Sequence, residues 1–398
     1  MITSLLDTDL YKFKMLYFLW KMDLHETQVT YRLTNRGDVD PFEFIVHTLQ
    51  HRIYNLRELK LSFEDLEHLF TLIPDRKFIN WLSKLELGWD SWKLCNPLEY
   101  SGSIGAIILY ETPIMSIINQ MFTEKILKGM GRYAKEHDTH FRNKLRTKLF
   151  QIADINALCE TDKKIKFTEF GTRRRSSLAS QKLAITTALE ICPEAIVGTS
   201  NVMLAREYGL KAQGTIAHEM FMLYATHAAK EATIQSTYRD MVDSQIELVN
   251  LWRMVFPETL WLTDTYGSEW FLRNMPDDLY GYRQDSGDPE MFMDRLDNHK
   301  LLGKGKKIMF SDGLDVTQMI KLRNKYPDED ISFGWGTNLT NDGLVEPLRI
   351  VIKLHSVEGE GTVKLSDNIN KAIGSKDNIQ KYKTAFYYNE TNSLDIKY

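Results

Sequence analysis

The middle of the chain alternates short apolar runs with polar or glycine-containing loops, and this alternation constrains the fold more than any other feature. Stretches with helical character follow most of the loops. Repeated strand, loop and helix units favour parallel strands with right-handed crossovers, and their number favours a closed α/β barrel. The runs that predict strands are Ile165–Phe170, Ala195–Val197, Lys211–Gln213, Thr259–Leu262, Leu279–Tyr282, Lys307–Phe310 and Ile331–Phe333.

Several of the predicted helices have recognisable first residues. Ser176 or Ser177 can cap the helix after the first loop, and Thr199 or Ser200 can cap the next one. Asp288 precedes a proline, which is well tolerated at the first helical position, so this pair is a strong helix start. In α/β barrels the reactive groups lie on loops at the carboxyl ends of the strands, so we expect the chemistry in these loops.

The two ends of the chain have a different pattern. Val29, Tyr31 and Leu33 alternate with polar residues, which predicts a strand with one buried face. Alternation returns in Ile350–Leu354 and Val363–Leu365. A β-rich tail after a barrel often pairs with the amino-terminal region, but the pattern itself leaves that pairing open.

Composition and charge exclude several classes of function. The chain has 398 residues, with 50 Lys and Arg against 54 Asp and Glu. The net charge of -4 gives no general attraction to nucleic acids or membranes. The apolar stretch Ile104–Ile118 contains a glutamate and a proline and is too short to cross a bilayer. Cys95, Cys159 and Cys192 are few, odd in number and widely spaced, and they form no CxxC pair, which favours neither a disulfide framework nor a zinc ribbon. We therefore expect a soluble protein of a reducing compartment, the cytoplasm.

One loop of the predicted barrel suits anions. Arg173–Arg175 directly precede a predicted helix, and fixed cations beside free backbone N–H groups suit a polyanion such as pyrophosphate. A solvated basic turn or a nucleic-acid contact would give the same pattern. The loop Gly198–Asn201, taken alone, is only a helix cap. The basic tract Lys125–Lys148 fits a solvated helix face better than an RNA site, and no RRM or KH motif accompanies it.

A histidine stands just beyond one predicted strand, in the loop Gly214–Met220. There the neutral imidazole of His218 can act as a base, a metal ligand or a nucleophile. His218 and Glu219 match half of an HExxH zinc motif, but the residue in place of the second histidine is methionine, so the zinc interpretation fails. His137 and His140 lack a third ligand and fit a solvated helical face.

The loop Tyr282–Pro289 is the most unusual one, because it places an arginine and two carboxylates around a glycine. Carboxylates can accept hydrogen bonds from both hydroxyls of a ribose diol, and nearby negative charge stabilises an oxocarbenium-like sugar. Phe310–Asp315 adds further carboxylates, and Phe333–Asn338 is a glycine-rich turn that can bring N–H groups onto a phosphate. The chain contains no P-loop motif, which excludes a P-loop ATPase at this level.

Together and in this order, the loops resemble those of the nicotinate phosphoribosyltransferase family. This family is a branch of the type II phosphoribosyltransferases, which also include the nicotinamide and quinolinate enzymes. The resemblance runs from Thr8-Asp9-Leu10-Tyr11 to Gly334–Asn338. It implies an irregular TIM-like α/β barrel over residues 146–344. It also implies a discontinuous α+β domain from residues 1–145 and 345–398, and a homodimer with shared active sites.

The resemblance also implies roles for single residues. His218 would be the histidine that ATP phosphorylates, Asp264 would fix its ring, and Asp285 would contribute to catalysis. Tyr11 of one subunit would cap the pyridine ring that Phe170 stacks against in the other. The remaining substrate-binding residues would be Arg173 at the pyridine acid or phosphate end, Thr215 beside the pyridine, Arg283 on the substrates, Asp312 and Gly313 at the ribose, Gly336 and Thr337 at the 5′-phosphate, and Ser200.

The implied reaction transfers a phosphoribosyl group from 5-phosphoribosyl 1-pyrophosphate to nicotinate in NAD salvage, with ATP as co-substrate. Displacement of pyrophosphate at ribose C1 needs positioning and charge stabilisation, usually with Mg²⁺ held by the pyrophosphate rather than by side chains. The nicotinamide branch has an acid at the position of Ser200, whereas a hydroxyl at a helix N-terminus favours a carboxylate substrate. The alternatives are a nicotinamide phosphoribosyltransferase and a non-catalytic nucleotide-binding barrel.

Overall fold

The computed structural model describes residues 2–40, 42–94, 97–160, 163–231 and 237–389. Cys95 and the last part of the predicted discontinuous domain, residues 390–398, lie outside the described residues. The strands are β1 (Gln28–Asn35), β2 (Ser91–Lys93), β3 (Glu99–Ser103), β4 (Phe167–Glu169), β5 (Ile196–Thr199), β6 (Leu260–Leu262), β7 (Gly281–Gln284), β8 (Lys307–Phe310), β9 (Asp330–Trp335), β10 (Ile350–Val357) and β11 (Glu360–Gly361).

Helices surround these strands and connect them. The α-helices are α1 (Leu10–Lys21), α2 (Phe42–Tyr54), α3 (Phe63–Leu72), α4 (Arg76–Leu82), α5 (Ile104–Ile107), α6 (Glu111–Met130), α7 (Ala134–Leu158), α8 (Leu178–Ile191), α9 (Val202–Tyr208), α10 (His218–Glu231), α11 (Thr237–Val255), α12 (Ser268–Asn274), α13 (Pro289–Asn298), α14 (Val316–Lys325), α15 (Thr337–Thr340) and α16 (Lys376–Ala385). Short 3₁₀ turns lie at Asn55–Glu58, Ile108–Tyr110, Gly131–Tyr133, Thr172–Arg174 and Ile369–Lys371.

The middle of the chain forms a parallel sheet, which confirms the predicted α/β class. Its six strands lie in the order β5-β4-β9-β8-β7-β6, and every ladder between neighbours is parallel. The predicted strand Lys211–Gln213 is reduced to one parallel bridge, between Ala212 and Thr199. In the part of the chain that the structure describes, no ladder joins Ala212 to β6, so a complete ring of strands stays a prediction.

A second, antiparallel sheet unites the two ends of the chain. Its order is β11-β10-β1-β3-β2, and β10 pairs with β1 from Asn35 opposite Ile350 to Val29 opposite Val357. The β-rich tail therefore pairs with the amino-terminal region. Val29, Tyr31 and Leu33 are buried as the alternation predicts. The domain limits near residues 145 and 345 stay predictions.

The apolar stretch Ile104–Ile118 belongs to the protein core. It forms α5, a 3₁₀ turn and the first part of α6. Ile104, Ile108, Ile114 and Ile118 are fully buried. Among the described helices, each one is either too short or too polar to span a bilayer.

Asn201 caps α9, so the prediction of a cap at Thr199 or Ser200 is wrong. The side chain of Asn201 accepts a hydrogen bond from a backbone N–H in the first turn of the helix, at 3.0 Å. Thr199 is the last residue of β5, and the hydroxyl of Ser200 is bonded to Asp9 instead. The first loop behaves as expected, because Ser177 caps α8.

The predicted helix start at Asp288 is confirmed and can be tested. Its carboxylate accepts hydrogen bonds from the backbone N–H groups of Glu290 at 2.7 Å and Met291 at 3.0 Å. Asp288→Ala should lower the free energy of unfolding by about 0.5–2 kcal/mol, because those donors lose their acceptor. Urea unfolding measures the difference, and Asp288→Asn, which keeps an acceptor, is the control. An alanine variant as stable as the wild type would show that the cap contributes nothing.

Candidate active site

A small cavity of about 50 Å³ lies between the carboxyl ends of the parallel strands and β10 of the antiparallel sheet. The end of β6, the end of β7 with the loop that follows it, and the start of α10 reach it from one side. Helix α1 and β10 close it from the other side. The predicted site residues that line it are Tyr11, Arg173, His218, Arg283 and Asp285. Residues from both predicted domains therefore meet at one place.

His218 is buried and has partners at both ring nitrogens. Its Nδ1 lies 3.0 Å from Thr265 Oγ1, and its Nε2 lies 2.9 Å from Asp285 Oδ2 and 2.8 Å from Lys364 Nζ. Burial lowers the pKa of His218 to about 4, and the neighbouring Lys364 ammonium contributes to this shift, while Asp264 and Asp285 oppose it. The imidazole is therefore neutral near pH 7, which is the form a base or a nucleophile requires.

Asp264 supports the histidine less directly than expected. Its Oδ1 lies 3.7 Å from His218 Nε2, beyond hydrogen-bond distance, and Thr265 makes the contact to Nδ1 instead. The other oxygen of Asp264 accepts a hydrogen bond from Ser286 Oγ at 2.5 Å and lies 3.5 Å from Lys364 Nζ. Burial opposes ionisation of Asp264, but the Lys364 ammonium and other neighbours outweigh it and lower its pKa. Asp264 thus acts on the site mainly as a fixed negative charge.

Arg283 is held rigidly at the end of β7. It pairs with Asp285 and donates hydrogen bonds to Thr215 Oγ1 at 2.7 Å and Ser311 Oγ at 2.8 Å. Its guanidinium also lies 5.5 Å from the ring centroid of Phe170. Burial raises the pKa of Asp285, but the Arg283 guanidinium reverses this effect and holds the pKa well below its usual value. Asp285 therefore presents a permanent negative charge beside the cavity.

The three consecutive arginines separate into different roles. Arg175 is fully buried and pairs with Asp7, with N–O distances of 2.6 and 2.7 Å. Arg174 points its guanidinium to the carbonyl oxygen of Ile350 at 3.4 Å. Arg173 lines the cavity and lies 3.6 Å from Glu111 and 3.9 Å from Asp9, so its hydrogen-bond donors can serve a ligand. Only this arginine of the loop is placed to bind a carboxylate or a phosphate within the cavity.

Ser200 lies near the cavity but does not line it. Its hydroxyl is buried and donates to Asp9 Oδ1 at 2.7 Å. Burial raises the pKa of Asp9, although Arg173 opposes this shift. Ser200 is thus connected to Arg173 through Asp9 rather than lying on the cavity wall.

The other predicted residues lie on neighbouring loops at the same end of the parallel sheet, outside the cavity wall. Asp312 pairs with Lys371 at 2.7 Å, and Gly313 has a φ of 58°, which disfavours any larger residue. A Cβ at Gly336 would lie 3.2 Å from the carbonyl oxygen of Phe170, and Thr337 begins α15. The ribose, phosphate and stacking roles of these residues stay predictions.

Two family models match separate parts of the chain. The model of the nicotinate phosphoribosyltransferase N-terminal domain matches residues 6–119, and that of the nicotinate phosphoribosyltransferase (NAPRTase) family matches residues 165–390. The chain belongs to the nicotinate phosphoribosyltransferase family.

Solved structures of nicotinate phosphoribosyltransferases have a similar fold along nearly the whole of this chain. A nicotinate phosphoribosyltransferase from Vibrio cholerae is 28% identical, with a TM-score of 0.84 over 97% of this chain and 94% of that one. Another, from Porphyromonas gingivalis, is 27% identical, with a TM-score of 0.82 over 98% of this chain and 100% of that one. The predicted fold class is therefore confirmed.

Several charged residues of this nicotinate phosphoribosyltransferase fold were missed by the sequence analysis. Lys12 is fully buried, and its ammonium lies 2.5 Å from Glu111 and 2.6 Å from Glu219. Glu111, Glu219 and Lys353 also line the cavity, and burial lowers the pKa of Lys353 to about 7. A charge inside an apolar run was the available indication for Lys12, Glu111 and Lys353, because such charges are rarely buried without a partner.

Tyr11 lines the cavity of its own chain, and the role in a neighbouring subunit that the resemblance implies stays a prediction. The segment around it is fixed within the same chain: Leu10 N–H donates to Ser200 O at 2.8 Å, and Val202 N–H donates to Thr8 O at 3.0 Å. Lys14 Nζ, one helical turn away, donates to Gly214 O at 3.2 Å. These contacts place Tyr11 beside His218 and Arg173 of the same chain.

Mixing two inactive variants distinguishes the two arrangements. If Tyr11 serves its own chain, Tyr11→Ala combined with Asp285→Ala should recover no activity, because each chain then carries a lesion in its own site. The phosphoribosyltransferase activity of the mixture is compared with that of each variant alone. Differently tagged wild-type chains show whether subunits associate under the same conditions. Recovery above the two single variants would place Tyr11 in a neighbouring subunit's site.

Proposed function

We propose that this protein transfers the phosphoribosyl group of 5-phosphoribosyl 1-pyrophosphate to nicotinate, giving nicotinate mononucleotide and pyrophosphate. Membership of the nicotinate phosphoribosyltransferase family supports the two substrates. The single observation that carries the proposal is the cavity itself. Three of its residues have complementary properties. Arg173 has N–H donors available for a ligand, Asp285 is an ionised carboxylate, and His218 is a neutral imidazole.

In this proposal Arg173 binds the carboxylate of nicotinate. A guanidinium offers two parallel N–H donors, which match the two oxygens of a carboxylate. The existing partners of Arg173 lie at 3.6 Å and 3.9 Å, so a substrate carboxylate can approach it more closely than they do. Tyr11 lines the same cavity and supplies an aromatic wall for the pyridine ring.

Asp285 stabilises the transition state in this proposal. Positive charge develops on the ribose as pyrophosphate leaves C1, and a fixed carboxylate lowers the energy of that charge. Arg283 keeps Asp285 ionised, while Thr215 and Ser311 hold Arg283 in place. Groups that are oriented before the reaction stabilise developing charge without further reorganisation.

We propose that Mg²⁺ binds through the pyrophosphate rather than in a site made of side chains. Among the described residues, His218, Asp264 and Asp285 have ligand atoms within 4.8 Å of one another. However, the Lys364 ammonium lies 2.8 Å from His218 Nε2 and 3.5 Å from Asp264 Oδ2, so a cation is already supplied there. These residues therefore do not fit a resident metal. When bound with substrate, Mg²⁺ would neutralise part of the pyrophosphate charge.

ATP coupling through His218 is a further part of the proposal. A nitrogen lone pair of His218 would attack the γ-phosphorus of ATP, forming an N–P bond as the P–O bond to ADP breaks, with ADP taking that electron pair. Water later cleaves the N–P bond and releases phosphate. The neutral state of His218 and its position on the cavity wall support this role.

A competition assay tests the choice of substrate. The protein is given 5-phosphoribosyl 1-pyrophosphate, Mg²⁺ and ATP with equal concentrations of nicotinate and nicotinamide, and the two mononucleotides are separated and quantified. We expect nicotinate mononucleotide to dominate. A dominant nicotinamide product would favour the nicotinamide enzyme, and tight binding of substrates without turnover would favour a non-catalytic barrel. Asp285→Ala protein gives the background level.

The cytoplasmic location and the homodimer remain proposals. The cytoplasm is proposed because the cysteines are few and widely spaced. The homodimer is proposed because the resemblance to the family implies it.

A further inference from the structure

The Nε2 atom of His218 has two partners whose requirements conflict. Asp285 Oδ2, at 2.9 Å, can only accept a hydrogen bond and therefore needs a proton on Nε2. Lys364 Nζ, at 2.8 Å, can only donate as an ammonium and therefore needs a lone pair on Nε2. A neutral imidazole has a proton on one nitrogen and a lone pair on the other, so Nε2 can satisfy only one of these partners.

The other contacts of Asp285 and Lys364 indicate which of the two Nε2 satisfies. Asp285 Oδ1 already pairs with Arg283 and accepts a hydrogen bond from Ser311 Oγ at 3.2 Å, so the charge of this carboxylate is compensated even when its Oδ2 receives no hydrogen bond from His218. Lys364 is buried, and its other close acceptor is Asp264, at 3.5 Å. A buried ammonium without acceptors is costly, so Lys364 loses more than Asp285 if Nε2 carries the proton.

If Nε2 carries the lone pair, the proton of the neutral imidazole must be on Nδ1. Nδ1 lies 3.0 Å from Thr265 Oγ1, and a hydroxyl can accept as well as donate a hydrogen bond. The proton can therefore reside on Nδ1 and be donated to Thr265. Thr265 and Lys364, the partners of Nδ1 and Nε2, are also connected to each other, because Leu365, next to Lys364, donates its N–H to the carbonyl oxygen of Thr265 at 2.8 Å.

We propose that Lys364 is a positioning residue that fixes His218 as the Nδ1–H tautomer and so makes Nε2 its reactive nitrogen. In the phosphoryl transfer proposed above, on which this use of the tautomer rests, the Nε2 lone pair forms the N–P bond. The P–O bond to ADP breaks, and ADP leaves with its electron pair. The proton on Nδ1 stays in the hydrogen bond to Thr265, so no base is needed for this step.

The tautomer can be observed directly in the complete protein without any substrate. The protein is labelled with ¹⁵N-histidine, and the His218 resonances are assigned by comparison with His218→Gln. We expect the ¹⁵N shifts of wild type to show a protonated Nδ1 and an unprotonated Nε2 near pH 7. Protonation of Nε2 in the wild type would overturn the proposal, whatever the activity of any variant.

Two substitutions then test the role of Lys364. Lys364→Met has a similar length but no N–H donor, so Nε2 should gain the proton and donate it to Asp285. Nicotinate-dependent ATP hydrolysis should fall by about 10- to 100-fold, the usual effect of losing a partner that orients a reactive group. Lys364→Arg keeps the charge and the donors, so it should keep the Nδ1–H tautomer and recover part of the ATP hydrolysis.

The outcomes separate this inference from the proposed function. An unchanged tautomer in folded Lys364→Met would overturn the inference. The expected tautomers together with no phosphorylation of His218 by ATP would support the inference and refute only the phosphohistidine. If Lys364→Met does not fold, the wild-type and Lys364→Arg spectra still decide, because Nε2–H in either one contradicts the role of Lys364.

Discussion

Replacing His218 with asparagine should abolish nicotinate-dependent ATP hydrolysis and leave only slow, ATP-independent phosphoribosyl transfer. Asparagine keeps a polar side chain near Thr265 and Asp285, but it has no nitrogen lone pair that can attack phosphorus. ATP hydrolysis is measured with and without nicotinate, and pyrophosphate release with and without ATP. The stimulation of pyrophosphate release by ATP should fall to a ratio of about 1.

The same helix offers a matched control for this substitution. His227 also belongs to α10, but it does not line the cavity, and its Nδ1 lies 3.6 Å from a carboxylate oxygen of Glu358. His227→Asn should therefore keep the ATP stimulation of the wild type. Equal stimulation by ATP in His218→Asn and the wild type would remove His218 from the coupling.

Ser200→Asp should shift the preference between substrates from nicotinate towards nicotinamide. The new carboxylate would lie against Asp9, which Ser200 contacts at 2.7 Å and whose pKa burial already raises. It would compete for Arg173, 3.9 Å from Asp9, and would repel the carboxylate of nicotinate. Added negative charge in this partly desolvated place should cost nicotinate about 2–4 kcal/mol, or about 30- to 1000-fold in kcat/KM relative to nicotinamide.

The control for this change keeps the shape and omits the charge. Ser200→Asn adds a side chain of the same size as aspartate but no charge, so it should alter the substrate ratio much less. The measurement is kcat/KM for nicotinate and for nicotinamide in wild type and both variants. A ratio in Ser200→Asp that stays within about threefold of wild type would give Ser200 a structural role only.

Features set by neighbours in sequence were predictable. The predicted strand Lys307–Phe310 agrees with β8 at both ends, because a buried parallel strand is a short apolar run between polar loops. Arg283, Asp285 and His218 were found because parallel strands carry their functional loops at one end. The fold class and the residues on strand ends therefore follow from local patterns.

Features set by distant partners were not predictable. The sequence does not distinguish Thr199, Ser200 and Asn201 as the cap of α9, because all three residue types are common at this position. The choice depends on Asp9, which is 191 positions away in sequence. The contact of Lys364 with His218 spans 146 positions, and nothing near Lys364 indicates it.

In the arginine loop too, distant partners give neighbouring residues different roles. Arg173 and Arg175 stand in one polar loop and have the same chemistry. Their roles diverge because Asp7, 168 positions from Arg175, binds that guanidinium within the core. A pattern of charge identifies the loop, but only the tertiary partners show which arginine is available to a substrate.

The most direct test of the central claim is identification of the product by mass spectrometry. Purified protein is incubated with Mg²⁺, 5-phosphoribosyl 1-pyrophosphate and nicotinate, with and without ATP, and pyrophosphate is measured in the same samples. The account predicts nicotinate mononucleotide and pyrophosphate in equal amounts, faster with ATP and at background level in Asp285→Ala. Absence of nicotinate mononucleotide from active, folded protein, or formation of a mononucleotide from nicotinamide alone, would contradict it.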